Sequence, residues 1–282
     1  MRKLGAFIAY TLLLLIIGRN LSFLPLLGSP PKTQVEDTSL KEKIQKLIKE
    51  QKGNYAVSFK DLKTGNYFGI NQEMMVTAAS VNKVPIIAVL YYLENKGKIS
   101  FNDQVTLQKV DIQDYGTGSL RYQKPGATYS IKTLAKLTLQ QSDNTASHIL
   151  ANKIGEEVIQ STINSWGLKQ TDMVNNQTSS SDMQRLFEKI YRREITSDAK
   201  TRELLSFMTE TESEDRLPSL LPPNASVSHK TGDGVGFIHD VGIITVKGHT
   251  FFLGVLTSDI GSQEIQTRKI IAEIAKIVAD SY

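Results

Sequence analysis

The 282-residue chain contains no cysteine. That removes disulfides, thiolate metal sites and a cysteine nucleophile, and it leaves the redox compartment open. Histidine is scarce at four residues. His148 has no ligand-type partner four positions on, and His229, His239 and His249 fall on separate segments without a zinc-like spacing, so neither a metal nor any other cofactor is expected. No Gly-x-Ser-x-Gly elbow occurs. The stretch "GTGSLR" from Gly116 neither follows a strand nor opens a helix, as a nucleotide loop must. A basic stripe interleaved with aromatics is also missing. The formal charge is +4, and Arg2, Lys3 and Arg19 in the first 19 residues, with no acid among them, account for all but +1 of it. Nucleic acid is therefore not an expected partner. There is no internal repeat and no low-complexity tract.

A hydrophobic content of 40% is enough to bury a substantial core. At the N-terminus, Arg2 and Lys3 precede an apolar run over Leu4–Ile17 of the kind found in secretory signals. No Ala-x-Ala cleavage site follows, and Leu21–Leu27 extends the run toward the roughly 20 residues of a spanning helix. Residues 1–28 are thus expected to be a signal or uncleaved membrane anchor, its positive flank inside and the bulk of the chain exported. Residues 29–39, from the polar, proline-containing stretch "GSPPKTQVEDTS", are expected to be a linker, and residues 40–282 the folded domain.

Patterning places elements along that domain. Leu40, Ile44, Leu47 and Ile48 form one helical stripe that stops at Gly53. "YAVSF" and "YFGI", joined by "KDLKTGN", predict a β-hairpin. An apolar helix is expected from Val81 to about Glu94, with Pro85 costing it a hydrogen bond and a kink. The middle of the chain reads as five helical segments from "SIKTLAKLTLQQ" to "SDAKTRELLSFMTE". "SVSHK", "DVGIITV" and "TFFLGVLTS" read as adjacent strands before an amphipathic helix from about Ser262. Strands at both ends with helices between them predict an α+β fold, an antiparallel sheet built from the N- and C-terminal segments plus an inserted all-helical lobe. A cleft between the two is the default place for a site.

Three short stretches occur in order: "SVNK" at Ser80, "SDN" at Ser142 and "HKTG" around Lys230. The first opens an apolar helix, the second joins two helical segments and the third ends a strand. Two other Ser-x-x-Lys pairs, Ser29/Lys32 and Ser197/Lys200, lack such companions. The ordered set resembles the active-site elements of the penicillin-recognising serine enzymes, namely class A β-lactamases and low-molecular-weight D,D-peptidases. The resemblance covers roughly residues 40–282, including "EDRLPSLLPPNASVSHKTG" before the last motif. It implies a β-lactamase/transpeptidase-like fold and an acyl-enzyme mechanism at a nucleophilic serine.

The residue types suit that chemistry. On a helix Ser80 and Lys83 share a face. A serine hydroxyl needs a base, and Lys83 serves only when neutral. Its reference pKa near 10.4 must fall by about 3.4 units for half-neutrality at pH 7, which burial and a second cation, Lys230, are able to supply. The resemblance implies that Ser142 relays a proton to the departing nitrogen and that Asn144 binds the substrate's side-chain amide. Lys230 and Thr231 suit a substrate carboxylate, and Gly232 lets a bound amide approach the strand. The backbone N–H groups of Ser80 and Asp233 are expected to form the oxyanion hole, with the Asp233 side chain pointing away. Tyr115 falls where the family often places an aromatic wall. Asp143 reads as structural.

One departure stands out. Class A enzymes activate the deacylating water with a glutamate on a long loop between the second and third motifs. Here "GLKQTDMVNNQTSSSDMQRL" occupies that region without a glutamate, and the interval is shorter than usual. Asp172 is the nearest acid, Asp182 is expected to cap the next helix, and Glu156 and Glu157 to sit at a helix N-terminus. The expectation is a hydrolase acylated at Ser80 by β-lactams with doubtful deacylation. The alternatives are a D,D-peptidase acting on peptidoglycan stem peptides, or a non-catalytic cell-wall or β-lactam binding module.

Overall fold

Period-two burial in the first long strand sets the architecture. Along β1 (Asn54–Asp61), Tyr55, Val57 and Phe59 face one core, while Ala56 faces another and Ser58 turns toward the helices. A sheet with two apolar faces must be covered on both. The computed structural model describes residues 35–282. The expected signal or anchor over residues 1–28 lies outside them. Among the described residues no helix is long and apolar enough to cross a membrane.

Five antiparallel strands form the sheet in the order β2-β1-β9-β8-β7, where β2 is Tyr67–Ile70, β7 Ser226–Gly234, β8 Phe237–Val246 and β9 His249–Ser258. The N-terminal hairpin and the three C-terminal strands therefore meet at β1–β9, with Val57 opposite Val255. In the hairpin turn, Asp61 Oδ1 accepts from the backbone N–H groups of Lys63 and Thr64 at 2.8 and 2.7 Å. On the outer face lie α1 (Thr38–Lys49) and the C-terminal α8 (Glu264–Asp280). Asp37 caps α1, accepting from Leu40 N at 2.9 Å. Immediately before it, Tyr67 N donates to Val35 O at 3.1 Å and Asp37 N to Tyr67 O at 2.8 Å, which places residues 35–37 against β2.

The inserted lobe consists of α2 (Lys83–Asn95), α3 (Ile131–Gln140), α4 (Asn144–Ile154), α5 (Glu156–Ser165), α6 (Ser180–Tyr191) and α7 (Asp198–Ser206). Helix α2 is its axis. Every residue from Lys83 to Tyr91 is buried, as befits a helix apolar on all sides. The sequence-based expectation needs correction at its start: a 3₁₀ turn, Ala79–Asn82, precedes the α-helix. Pro85 therefore falls in the first turn, where backbone N–H groups have no helical partner, and it is accommodated without the expected loss. Ser197, of the rival Ser197/Lys200 pair, is simply the N-cap of α7. Glu156 and Glu157 occupy the first turn of α5, as anticipated.

Sheet and helices are joined by polar contacts as well as packing. Ser58 Oγ and Ser180 Oγ are 2.9 Å apart in the interior, and Lys60 donates to Glu188 at 2.8 Å. Two short ladders close the lobe: β3 (Val76–Thr77) with β6 (Gln177–Thr178), and β4 (Gln104–Thr106) with β5 (Thr128–Ser130). Because α2 is the shared core of the lobe, Leu90→Ala, at a fully buried position, is expected to destabilise the protein by about 2–5 kcal/mol. Urea unfolding of the purified variant measures it.

Candidate active site

Three segments of distant sequence converge on one cavity of about 720 Å³. It is lined by Ser80 from the 3₁₀ turn and Lys83 at the start of α2, by Ser142 and Asn144 at the α3–α4 junction with Tyr115 from the β4–β5 connection beside them, and by Lys230, Thr231 and Asp233 from β7. Gly232 lies on β7 between these but is not part of the lining.

The first segment is held in a costly conformation. Ala79, just before Ser80, has φ +47°, as does Ser142 at +54°. Left-handed backbone at a non-glycine residue costs about 1–2 kcal/mol, so the surroundings must fix it. They do so on three sides. Asn176 O accepts from Ala78 N at 2.8 Å, and Asn176 Oδ1 accepts from Asn82 Nδ2 at 2.9 Å. His239 Nε2 lies 2.8 Å from Thr77 O, while its Nδ1 accepts from Thr257 N at 3.1 Å. Nε2 must therefore carry the proton. Burial lowers the pKa of this imidazole to about 4, so it is a neutral tether. The third side is β7. A Cβ built on Gly232 would come within 2.9 Å of Ala78 O and 3.1 Å of Val81 Cγ2. The close approach that demands glycine here includes the protein's own Ser80 segment.

The second segment is built on Asp143. Its Oδ1 accepts from Ala146 N and its Oδ2 from Leu120 N, both at 2.8 Å, capping α4 and anchoring the neighbouring loop. The structural reading of this residue holds. The "GTG" stretch finds its use in this contact. A Cβ on Gly116 would meet Asn144 Nδ2 at 2.2 Å, and one on Gly118 would meet Asp143 Cα at 2.4 Å. Thr117 accepts from Asn144 N at 3.2 Å through its carbonyl and donates from Oγ1 to Ser142 O at 2.8 Å. Tyr115 is exposed and lines the cavity, its carbonyl accepting from Asn144 Nδ2 at 3.1 Å.

Lys83 connects the first segment to the second. Its amine donates to Ser142 O, to Ser142 Oγ at 3.2 Å and to Asn144 Oδ1 at 2.6 Å. No hydrogen bond joins it to Ser80, contrary to the simple i, i+3 expectation. Ser80 sits in the 3₁₀ turn, whereas the lysine begins the α-helix and reaches the opposite wall. Burial lowers the Lys83 pKa to about 8 against the opposing pull of Asp143. Lys230 is brought down to about 7 by burial and then by the charge of Lys83, with Asp240 opposing. Two buried amines lining one cavity thus titrate near neutrality.

Around Lys230 the sequence reading missed an ion network. His229 is fully buried, with Nδ1 2.8 Å from Asp240 and Nε2 3.2 Å from Glu214. Burial would lower its pKa, but the two carboxylates outweigh this and hold it up at about 9. The Asp233 side chain is engaged by Arg216 at 2.7 Å. The loop before α6 contributes Met173 and Asn176 to the cavity lining, and no carboxylate. Asp172 is turned onto Asn175, accepting from its backbone N at 2.9 Å. Asp182 is not the cap of α6, because Ser179 is. Asp182 accepts instead from Gln170 N at 2.6 Å and Thr171 Oγ1 at 2.9 Å, tying the loop down.

An α+β fold with these three segments around one cavity defines the class of β-lactamase-like serine hydrolases. The chain belongs to the beta-lactamase enzyme family, whose model matches residues 39–282. It is 24% identical over 276 residues to the β-lactamase VEB-1 of Pseudomonas aeruginosa, covering 89% of this chain and 92% of that protein. Among solved structures it resembles a point mutant of PBP-A in an acyl-enzyme complex with penicillin G, at 26% identity and a TM-score of 0.82 over 90% of this chain and 98% of that one. It also resembles the extended-spectrum β-lactamase TLA-1, at 28% identity and a TM-score of 0.81 over 86% and 98% of the two chains.

If Lys83 acts as the base, the acylation rate increases with pH across the interval from about 7 to about 8, because the lowered pKa values make the neutral amine available there. Lys83→Arg, which cannot lose its proton, is expected to slow acylation by about 10²–10⁴-fold. Stopped-flow acylation across pH 5.5–9.5, a range of roughly two units either side of these values, measures both. A rate independent of pH contradicts this role.

Proposed function

We propose that the chain is an acyl-transferring serine hydrolase in which Ser80 attacks the carbonyl of a β-lactam or of a peptidoglycan stem peptide. The observation that carries this reading is the buried, pKa-lowered Lys83 held by Ser142 and Asn144 in the cavity that Ser80 lines. Lys83 takes the Ser80 proton, Ser142 passes a proton to the leaving nitrogen, and Asn144 orients the substrate amide. Lys230 and Thr231 attract its anionic end. The backbone N–H groups of Ser80 and Asp233 receive the developing oxyanion, a contribution of about 3–4 kcal/mol per donor in comparable sites. Tyr115 forms the outer wall.

Release of the acyl group is the slow step in this proposal. Deacylation needs a base for water, and the loop that faces the cavity offers Met173 instead of a carboxylate. A protein that acylates readily and deacylates slowly toward β-lactams suits a D,D-peptidase as well as a weak β-lactamase. The retained serine, lysine and oxygen ligands weigh against a pure binding module. The N-terminal segment is proposed to export the domain and hold it at the extracytoplasmic face of the membrane. Cell fractionation with external protease should find it membrane-bound and accessible; recovery in the cytosol contradicts this.

Intact-mass measurement with benzylpenicillin tests the catalytic reading. A covalent adduct that persists for minutes or longer is expected, and none in Ser80→Ala. Met173→Glu, which places a carboxylate at the cavity wall, is expected to shorten the adduct lifetime by about tenfold or more. Rapid, complete hydrolysis by the native protein contradicts slow release, and an adduct in Ser80→Ala contradicts the assignment of the nucleophile.

A further inference from the structure

Directly after Gly232 the chain places an acid, Asp233, on the cavity wall. Its Oδ2 accepts from Arg216 Nη2 at 2.7 Å and lies 3.6 Å from Arg268 Nη2. Arg216 is fully buried, and its other two nitrogens also donate, Nε to Asp215 at 3.1 Å and Nη1 to the carbonyl oxygen of His239 at 2.8 Å. Arg268 Nη1 meets the other oxygen of Asp215 at 2.6 Å. Two guanidiniums and two carboxylates thus close on one another with no net charge. The two acids differ in one respect: Asp233 lines the cavity and Asp215 does not.

A buried guanidinium beside an acyl-transfer site is well matched to a ligand carboxylate, since its fork offers paired donors. Here Arg216 lies behind the cavity lining and donates instead to a carboxylate of the protein's own strand. Asp233 remains 45% exposed. The wall that carries Lys230 and Thr231 therefore presents a carboxylate of its own beside them. Lys230 attracts an anionic ligand and Asp233 opposes it.

We propose that Asp233 sets the charge preference of the cavity. It disfavours acyl donors with a free carboxylate beside the scissile bond and favours those that present an uncharged group there, an ester or an amide whose N–H it accepts. This rests on the acylation of Ser80 proposed above. In that step the Ser80 oxygen bonds to the carbonyl carbon, the carbon–nitrogen bond breaks, and the hydroxyl proton travels through Lys83 and Ser142 to the leaving nitrogen. The charge at the leaving-group end then governs which donors react.

The test compares acylation of the full-length protein by benzylpenicillin and by its methyl ester, which differ only in that charge, using intact mass against time. The rate ratio of acid to ester is expected to rise about tenfold in Asp233→Asn, equivalent to about 1.4 kcal/mol. In Asp215→Asn, which removes the same charge from the same two arginines outside the cavity, the ratio is expected to stay within about twofold of native. This control separates a direct effect on the ligand from a loosened ion network, and thermal melts of both variants identify any that fail to fold. Adducts formed by both compounds with an unchanged ratio in Asp233→Asn overturn the inference alone. An equal rise in Asp215→Asn does the same. Absence of any adduct from native protein overturns it together with the acylation reading.

Discussion

The amine of Lys83, buried and bonded to oxygens of Ser142 and Asn144, ties the axis of the helical lobe to the wall opposite it. A lysine at the head of an otherwise apolar helix is an expensive choice, because burial disfavours its charged form. The structure answers with oxygen acceptors and a pKa lowered to about 8. Strained backbone at Ala79 and Ser142 brackets the same contact. Each is braced by neighbouring residues, such as Asn176 behind Ala78 and Thr117 behind Ser142. Strain that is so thoroughly supported is what a preorganised site requires.

Around the second amine, Lys230, the protein arranges charge differently. His229 is compensated by Asp240 and Glu214, and Arg216 by Asp215 and Asp233. Buried ions paired in this way stay charged. Among the described residues, Lys230 has only the Thr231 carbonyl as a hydrogen-bond acceptor, at 2.9 Å. It is the site's labile cation, lowered by burial and by its neighbours. The β7 strand thus combines the paired charges of His229 and Asp233 with a titrating amine, all three at the cavity.

Much of the architecture was legible in the chain. The hairpin at Asn54–Ile70, the helices of the middle and the three C-terminal strands follow from periodicity and turn chemistry. The three motifs came together because each sits at an element boundary that pattern analysis finds. What escaped was set by tertiary packing. Two- and three-residue ladders such as β3–β6 are shorter than any periodic signal. Pro85 was misjudged because the 3₁₀ turn moved the helix start, and Asp182 because Ser179, three residues earlier, already capped α6. Gly232 and Gly116 are glycines for reasons visible only once distant residues, the Ala78 carbonyl and the Asn144 side chain, lie against them. The pairing of Arg216 with Asp233 has no sequence signature at a separation of 17 residues.

The chemistry therefore turns on whether the enclosed lysine next to the serine is basic enough to hold its proton. Following the side-chain ¹³Cε resonance of Lys83 by NMR during a pH titration, assigned with Lys83→Arg, measures that property without substrate. The account predicts a midpoint near 8. A midpoint above about 10, the range of an ordinary solvated lysine, would contradict it.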